Sequence, residues 1–261
     1  MSETIQADIL TGLILTLNEE ANIARVLQKL GWLEKIIIID SGSTDETITI
    51  VKSYPNTEII YRKFDTHANQ WNYGLSLCNS EWILSLDADY ILTQNFVEEV
   101  VDFIKSKNYS AFNAAFEFCV FGKPVGKNNT TPRPVLFRKS CCIYYDEGHT
   151  QRLKINGTIG DFENKIKHDD RKPLTRWLTN QAAYSIKEAE MLGNTPGAHL
   201  PFIFKLRKTK IFAPCLVFFY CLFVQGLIFK GWRGWHYTLQ RTMVEMLIAL
   251  RLIEKKLTVK D

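Results

Sequence analysis

Hydrophobic and polar residues follow each other in blocks along the first third of the chain. Four short apolar runs, at residues 9–17, 35–40, 57–62 and 82–87, have the length of buried β-strands, and each ends in polar residues. The segments between these runs carry apolar residues at helical spacing. Strands that alternate with helices form parallel sheets with helices on both faces. The pattern therefore predicts an α/β fold built on a mostly parallel, Rossmann-like sheet.

The rest of the chain divides into a β-rich stretch, a long helix and an apolar tail. Residues 110–170 contain several short strand-like runs, and apolar residues at helical spacing predict a helix over residues 173–192. Glycine and proline at residues 193–197 then mark a linker. We predict a main domain over residues 1–192 and a helical tail over residues 193–261.

The tail contains a long uncharged segment between basic residues. Ile211–Phe229 has no charged side chain and is just long enough to span a membrane, and Lys or Arg residues flank it on both sides. The following segment, His236–Leu257, has the apolar face of a helix that lies on a membrane surface. We predict that residues 205–257 associate with a membrane, by spanning it or by dipping into one leaflet. A buried hairpin or a dimer interface is the alternative.

The charge distribution favours a membrane partner over a nucleic acid. The formal net charge is +4, but residues 200–261 hold 11 Lys or Arg against three acids, which leaves −4 for residues 1–199. A basic, apolar tail suits an anionic membrane surface.

The six cysteines lack metal-binding spacing and the first residues lack an apolar signal-peptide core, so we expect reduced thiols in a cytosolic compartment. Glycine-rich dinucleotide and P-loop motifs do not occur, which disfavours those two classes.

Acidic residues cluster where the predicted parallel strands end. Asn18–Glu20 follows the first strand, Asp40–Glu46 begins at the end of the second, and Asp87–Asp89 ends the fourth. Ligands of parallel sheets collect beyond the carboxyl ends of the strands. The two aspartates of the last run point to the same side of an extended chain, and their oxygens suit Mg²⁺ or Mn²⁺. Ordinary loop acids and helix caps are the alternative.

Three ordered motifs resemble those of a known enzyme family. Leu15–Glu20, Ile39–Asp45 and Leu86–Asp89 resemble the nucleotide-sugar motifs of glycosyltransferase family 2, in the usual order and spacing. Gln70–Asn72 resembles the Q-x-N segment of bacterial lipopolysaccharide-core transferases in that family. The resemblance is strong over residues 8–110 and looser to about residue 192.

The resemblance implies a GT-A fold, a nucleotide-diphosphate sugar donor with a preference for a UDP-sugar, a Mn²⁺ or Mg²⁺ cofactor, and inversion at the anomeric carbon. Asp89 is then the metal ligand, and His168 is a further candidate ligand, with a simple loop histidine as the alternative. In this assignment Asp40 contacts the nucleobase and Asp87 lies near the ribose. The residues assigned to the nucleotide-sugar are Thr16, Asn18, Glu20, Asp40, Ser43, Gln70, Asp87 and Ala88.

Inversion requires a general base on the side of the sugar opposite the leaving group. The family often supplies this base from an acidic pair, which here is Asp146 and Glu147, and we favour Glu147. A purely structural turn is the alternative. The residues expected near an acceptor or its phosphates are His149, Gln151, Arg171, Lys172, Arg176 and Trp177. A solvated charged face is the alternative for the basic members of this group.

These observations predict an inverting, metal-dependent glycosyltransferase at the cytoplasmic face of an inner membrane. Its expected acceptor is a lipid-linked or lipopolysaccharide-type glycan, and no nucleic-acid partner is expected. Two other functions stay open, namely sugar transfer to polyprenyl phosphate itself and a catalytically silent scaffold that binds sugar nucleotides. A nucleotidyltransferase is disfavoured because residues 10–20 lack a glycine-rich, basic phosphate loop.

Overall fold

The computed structural model describes residues 4–126, 131–147, 150–194 and 202–258. Contacts divide the chain into two compact units. The first comprises Met1–Cys119 and Asn128–Arg171, and the second comprises Val120–Lys127 and Lys172–Asp261. The domain boundary predicted at residue 192 stays a proposal.

Strands dominate the first unit and helices the second. The strands in chain order are β1 (Leu10–Thr16), β2 (Ile36–Asp40), β3 (Thr57–Tyr61), β4 (Trp82–Asp87), β5 (Tyr90–Ile91), β6 (Ala111–Ala114), β7 (Phe116–Val120), β8 (Lys123–Pro124), β9 (Arg133–Arg138), β10 (Cys142–Glu147), β11 (Thr150–Ile155), β12 (Ile159–Asp161) and β13 (Ile166–His168). The helices are α1 (Ile23–Leu27), α2 (Thr47–Lys52), α3 (His67–Leu77), α4 (Gln94–Phe103), α5 (Leu174–Asn194), α6 (Phe202–Lys208), α7 (Phe212–Phe219) and α8 (Gly231–Thr258).

The main sheet of the first unit is mostly parallel. Among the described residues it has seven strands in the order β12-β6-β9-β4-β1-β2-β3. Strands β4, β1, β2 and β3 run parallel to one another, whereas β9 runs antiparallel to its neighbours β4 and β6. Strands β10 and β11 form an antiparallel pair, and β13 lies between β5 and β7 in a smaller sheet.

Both faces of the central strands are buried, which explains their unbroken apolar sequences. In β2, Ile36 and Ile38 belong to a core cluster that includes residues of α1, α2 and α4, whereas Ile37 and Ile39 belong to a second cluster that includes residues of α3. Each buried isoleucine stabilises the fold by about 1.5–3 kcal/mol relative to an exposed side chain. The predicted α/β fold, with a largely parallel sheet and helices on both of its faces, is confirmed.

An ion cluster joins three helices of the second unit. Arg207 of α6 donates from Nη1 to Glu188 Oε1 of α5 at 2.5 Å, and from Nη2 to Glu245 Oε1 of α8 at 2.9 Å. These side chains are 15%, 11% and 3% exposed, so the cluster is shielded from water. One buried guanidinium is therefore shared by two buried carboxylates.

The uncharged segment Ile211–Phe229 is broken rather than continuous. A π-helical turn at Tyr220–Val224 follows α7, and Gly226 has a positive φ of 68°. Within the described part of the chain, no individual helix is long and apolar enough to cross a membrane. Phe212–Val224 and Leu227–Thr258 meet that requirement only when they are taken together, and the two parts are bent by 68°.

Candidate active site

The carboxyl ends of β1, β2 and β4 lie side by side at one edge of the main sheet. In the register of the sheet, Thr16 pairs with Asp40 and Leu15 pairs with Asp87. Asp89 follows two residues after the end of β4, and the residue is 8% exposed. We call this edge the acidic rim, defined by Asp40, Asp87 and Asp89. The acids that the sequence assigned to strand ends thus lie at the same edge of the sheet.

Asp40 holds the loop that follows β2. Its Oδ1 accepts hydrogen bonds from the backbone N–H groups of Gly42 at 2.9 Å and Ser43 at 2.8 Å. Its Oδ2 accepts from Thr16 Oγ1 at 2.7 Å and from Ser43 Oγ at 2.6 Å. A carboxylate has about four acceptor positions, and here all are filled by protein donors. Asp40 is also only 1% exposed, so this arrangement supports the loop, and the predicted contact with a nucleobase stays a prediction.

The loop after β1 is tied to the loop after β2. Asn18, with a positive φ of 55°, donates its N–H to Ser43 Oγ at 2.8 Å and accepts from the Thr44 N–H at 2.7 Å. Asparagine tolerates this left-handed conformation better than most residues. Glu20 donates its N–H to Asp45 Oδ2 at 3.2 Å, and its own carboxylate is exposed. The two loops therefore form one preorganised surface beside the acidic rim.

Gln70 also acts inside the protein. It is fully buried in α3, and its Nε2 donates to Ser41 Oγ and to the Arg62 carbonyl, each at 3.0 Å. Its Oε1 accepts a hydrogen bond from Arg62 Nη1. Gln70 thus supports the loop after β2 through Ser41. Its predicted contact with a nucleotide-sugar is untested.

Asp87 combines solvent access with a crowded protein environment. Its side chain is exposed, yet desolvation by surrounding protein raises its pKa, and the Asp89 carboxylate raises it further. The Tyr90 hydroxyl, within hydrogen-bonding reach, acts in the opposite direction, and so does the positive charge of His168. Asp87 is therefore open to solvent although protein groups surround it.

Asp89 and His168 are in direct contact. Strand β13 pairs with β5 so that His168 lies opposite Tyr90, and His168 Nε2 is 3.1 Å from Asp89 Oδ2. Burial is the largest single influence on the pKa of His168 and lowers it, but the carboxylates of Asp89, Asp87 and Asp170 together outweigh burial, and the net pKa is above the ordinary value. The structure thus joins two predicted metal ligands that are 79 residues apart in sequence.

The ligand chemistry of the acidic rim suits Mg²⁺ or Mn²⁺. A cation near Asp87 and Asp89 would offset the repulsion that raises the pKa of Asp87. In the described ranges, no three His, Cys, Asp or Glu side chains are grouped so that they could hold a metal ion. Ions of this kind usually complete their coordination with water and substrate phosphates. Asp89 and His168 are chemically suited to such an ion, and its other ligands would come from outside these two side chains.

The segment after β13 is anchored by residues that the sequence analysis did not select. Arg25 Nη1 donates to Asp169 Oδ2 at 2.6 Å, and Asn22 Nδ2 donates to Asp170 Oδ1 at 2.8 Å. Arg171, predicted to bind phosphates, also donates from Nε to Asp169 Oδ2 at 3.0 Å. This network fixes the strand that carries His168. The partners are 144 and 148 residues apart, and no local sequence pattern reveals them.

Asp146, one member of the predicted acidic pair, supports the start of α3. Asp146 is exposed, and its Oδ1 accepts a hydrogen bond at 3.2 Å from the Ala68 N–H in the first turn of α3. Carboxylates at this position stabilise a helix N-terminus. The backbone of Glu147 ends β10, but its side chain lies outside what the structure describes. Gln151 pairs with Asp146 across the β10–β11 hairpin.

The other predicted site residues are distributed as follows. Ala88 is buried in the core at 4% exposure. His149 lies outside the described residues. Lys172, Arg176 and Trp177 belong to the second unit, and their predicted contacts with an acceptor stay predictions.

The sheet topology and the acidic rim define the class of this protein as a Rossmann-like α/β protein of the GT-A type. The sequence profile of glycosyl transferase family 2 matches residues 13–163, which is more than half of the chain. The chain belongs to glycosyl transferase family 2, as the three motifs indicated.

Several known proteins are similar to this chain. An uncharacterized glycosyltransferase of Rickettsia felis is 30% identical over 177 residues, which cover 67% of this chain and 61% of the relative. The lipopolysaccharide core biosynthesis glycosyltransferase LpsC of Rhizobium meliloti is 34% identical over 84 residues, 31% of each protein. The chain spans about three fifths of the length of the first curated relatives that it matches.

The fold is similar to that of a solved structure. Residues 1–349 of S. aureus TarS, in complex with UDP, align over 97% of this chain and 92% of that chain, with a TM-score of 0.50 and 12% identity. At this identity the similarity shows the fold alone.

Proposed function

We propose that this protein transfers a sugar from a nucleotide-diphosphate sugar, with a UDP-sugar as the preferred donor, to an acceptor hydroxyl with inversion at the anomeric carbon. The acidic rim carries this proposal, because Asp87 and Asp89 lie where parallel sheets bind ligands. Family membership supports the donor class. The preorganised loops after β1 and β2 supply the surface on which a nucleotide would lie.

The chemistry requires charge neutralisation on one side of the sugar and proton removal on the other. Asp89 and His168 would hold a Mn²⁺ or Mg²⁺ ion, which when bound neutralises the charge that develops on the departing diphosphate. Asp87 would orient the donor next to them. Glu147 would accept the proton of the attacking hydroxyl, since inversion needs a base on the face opposite the leaving group. Asp146 would position β10 through its bond to α3.

The proposed acceptor is a lipid-linked or lipopolysaccharide-type glycan. The similarity to LpsC, whose name assigns it to lipopolysaccharide core biosynthesis, supports this acceptor class. A new glycosidic bond in the product is the expected result. A sugar phosphodiester would instead indicate polyprenyl phosphate as the acceptor.

We also propose that the second unit binds an anionic membrane surface, at the cytoplasmic face of an inner membrane. Large apolar side chains are exposed around the break after α7, with Phe229 at 89% and Trp232 at 88%. Lys230 and Arg233 lie beside them in sequence. Exposed aromatic residues next to basic residues suit the interface between lipid headgroups and acyl chains. This surface would bring the enzyme to a membrane-bound acceptor.

The donor and metal roles are tested with Asp89→Ala. Release of nucleoside diphosphate from a panel of nucleotide-sugars is measured with Mn²⁺ and again after chelation. We expect the wild type to lose activity on chelation and the variant to be inactive at every ion concentration. Asp102→Ala is the matched control, because Asp102 is 76% exposed and forms a surface ion pair with Lys105. Full activity of Asp89→Ala with Mn²⁺ would contradict the metal role.

The membrane role is tested by flotation with lipid vesicles. We expect the wild type to float with vesicles that contain anionic lipid and not to float with neutral vesicles. Phe229→Ser combined with Trp232→Ser should lower binding at least tenfold, since each buried aromatic side chain contributes about 1.5–3 kcal/mol. Tyr61→Ser is the control, because Tyr61 is 68% exposed in the first unit. Equal flotation of all three proteins would refute the proposed surface.

A further inference from the structure

Arg133 begins β9 at the same edge of the sheet as the acidic rim. Strand β9 runs antiparallel to β4, with Leu84 paired to Leu136. The observed pairing of β9 with β4 ends at Leu136, and β9 has a bulge between Pro134 and Leu136 in its pairing with β6. Because β9 runs antiparallel to β4, its first residue, Arg133, lies toward the end of β4 that carries Asp87.

The electrostatics at the rim agree with this placement. Burial and neighbouring carboxylates raise the pKa of Asp87 and of Tyr90, whereas the positive charge of Arg133 lowers both. Asp87 and Tyr90 therefore both lie within electrostatic range of the Arg133 guanidinium.

The guanidinium of Arg133 is available to a ligand. Arg133 is exposed, and within the described part of the chain no hydrogen bond or ion pair involves its side chain. Arg138, at the other end of the same strand, is engaged by contrast with Glu81, with the ring of Trp82 and with the Ser106 carbonyl. The two arginines of β9 thus have different tasks, and only Arg138 is used for packing.

We infer that Arg133 binds the diphosphate of the nucleotide-sugar donor, at the same edge of the sheet as Asp87. The planar guanidinium matches two phosphate oxygens at once, and the adjacent carboxylates cannot bind a diphosphate without a cation. This inference rests on the proposed function, because that function supplies the diphosphate ligand.

The attraction between Arg133 and the diphosphate would increase as the reaction proceeds. The bond between the anomeric carbon and the donor phosphate oxygen breaks, and its electron pair stays on the diphosphate. The acceptor oxygen forms the new bond to carbon, and its proton passes to the general base. Negative charge therefore grows on the diphosphate, and a fixed cation beside it stabilises the transition state more than the bound donor.

A phosphate on a lipid-linked acceptor has the same chemistry as the donor diphosphate, so the test uses donor fragments without an acceptor. Calorimetry measures the affinity of the wild type, Arg133→Gln and Arg133→Lys for UDP, GDP and CDP and for the three nucleosides. We expect Arg133→Gln to weaken diphosphate binding about 10- to 100-fold and to leave nucleoside binding unchanged. Arg133→Lys should recover part of the loss, because it keeps the charge but not the planar fork.

Lys105→Gln is the matched control for the loss of one positive charge. Lys105 is 68% exposed, and its neighbour Ser106 contacts Arg138, which pairs with the first residue of β4 at the opposite edge of the sheet. This variant should bind diphosphates as the wild type does. Thermal unfolding of each variant checks that the fold is retained.

The possible failures are distinguishable. If the wild type binds a nucleoside diphosphate and Arg133→Gln binds it equally well, the role of Arg133 is wrong and the proposed function stands. The same conclusion holds if Arg133→Gln instead raises only the KM for a phosphorylated acceptor. An equal loss of diphosphate and nucleoside binding would show that Arg133 supports the fold. If the wild type binds no nucleoside diphosphate at all, the proposed function itself fails, and the role of Arg133 fails with it.

Discussion

Replacing Asp40 with asparagine separates loop support from base recognition. Asparagine keeps the shape of the side chain and one acceptor oxygen, which suffices for the backbone N–H groups of Gly42 and Ser43. The other oxygen becomes an amide nitrogen, and it faces the hydroxyls of Thr16 and Ser43, which must turn from donors into acceptors. All four charge-assisted hydrogen bonds of Asp40 are thereby exchanged for neutral ones. At a difference of about 0.5 kcal/mol each, the free energy of unfolding should fall by about 2 kcal/mol.

Thermal unfolding and donor binding together test this expectation. A loss of about 2 kcal/mol corresponds to a decrease in Tm of about 4–8 °C in a protein of this size. The preference for UDP over CDP should stay within about threefold of the wild-type value, since the carboxylate is buried and its acceptor positions are filled by protein donors. Asp102→Asn makes the same chemical change at an exposed position and should alter neither quantity.

One result would refute this reasoning. Uracil presents an N–H donor where cytosine presents an acceptor, so a carboxylate that contacts the base prefers UDP, and an amide tolerates CDP. A shift of tenfold or more toward CDP in Asp40→Asn, with little loss of stability, would show that Asp40 faces the nucleobase.

Three further variants follow from the structure. Arg207→Met removes the cation shared by Glu188 and Glu245. The free energy of unfolding, measured by chemical denaturation, should therefore fall by about 3–5 kcal/mol. A decrease below about 1 kcal/mol would contradict the role of the ion cluster. Asp146→Asn should cost about 0.5–2 kcal/mol of stability and keep kcat within about tenfold, because its carboxylate supports a helix start. Glu147→Gln should lower kcat by about 10²- to 10⁴-fold with unchanged stability, and the reverse outcome for these two variants would exchange their roles.

The central sheet was predictable because its signal is local. Ile36–Ile39 is apolar on both faces of a strand, and such runs occur where helices cover a parallel sheet on both sides. The position of β9 between β4 and β6 was not predictable. Its pairing depends on contacts between residues far apart in sequence. The sequence of Arg133–Arg138 does not indicate which strands pair with it.

The composition of the acidic rim was predictable, but the task of each side chain was not. Parallel strands end at a common edge, so Asp40 and Asp87 had to lie at the same edge of the sheet. Whether a carboxylate is used by the protein or left for a ligand depends on donors elsewhere in the chain. Asp40 illustrates this, because the hydroxyls of Thr16 and Ser43, which are 24 and 3 residues away in sequence, both donate to its carboxylate.

Titration of the wild-type protein with nucleotide-sugars, with and without Mn²⁺, tests the central claim most directly. We predict that at least one UDP-sugar binds with a calorimetric signal that depends on the ion, and that bound donor raises Tm by mass action. If no nucleotide-sugar binds under either condition, the acidic rim is not a donor site, and the proposed enzymatic function is wrong.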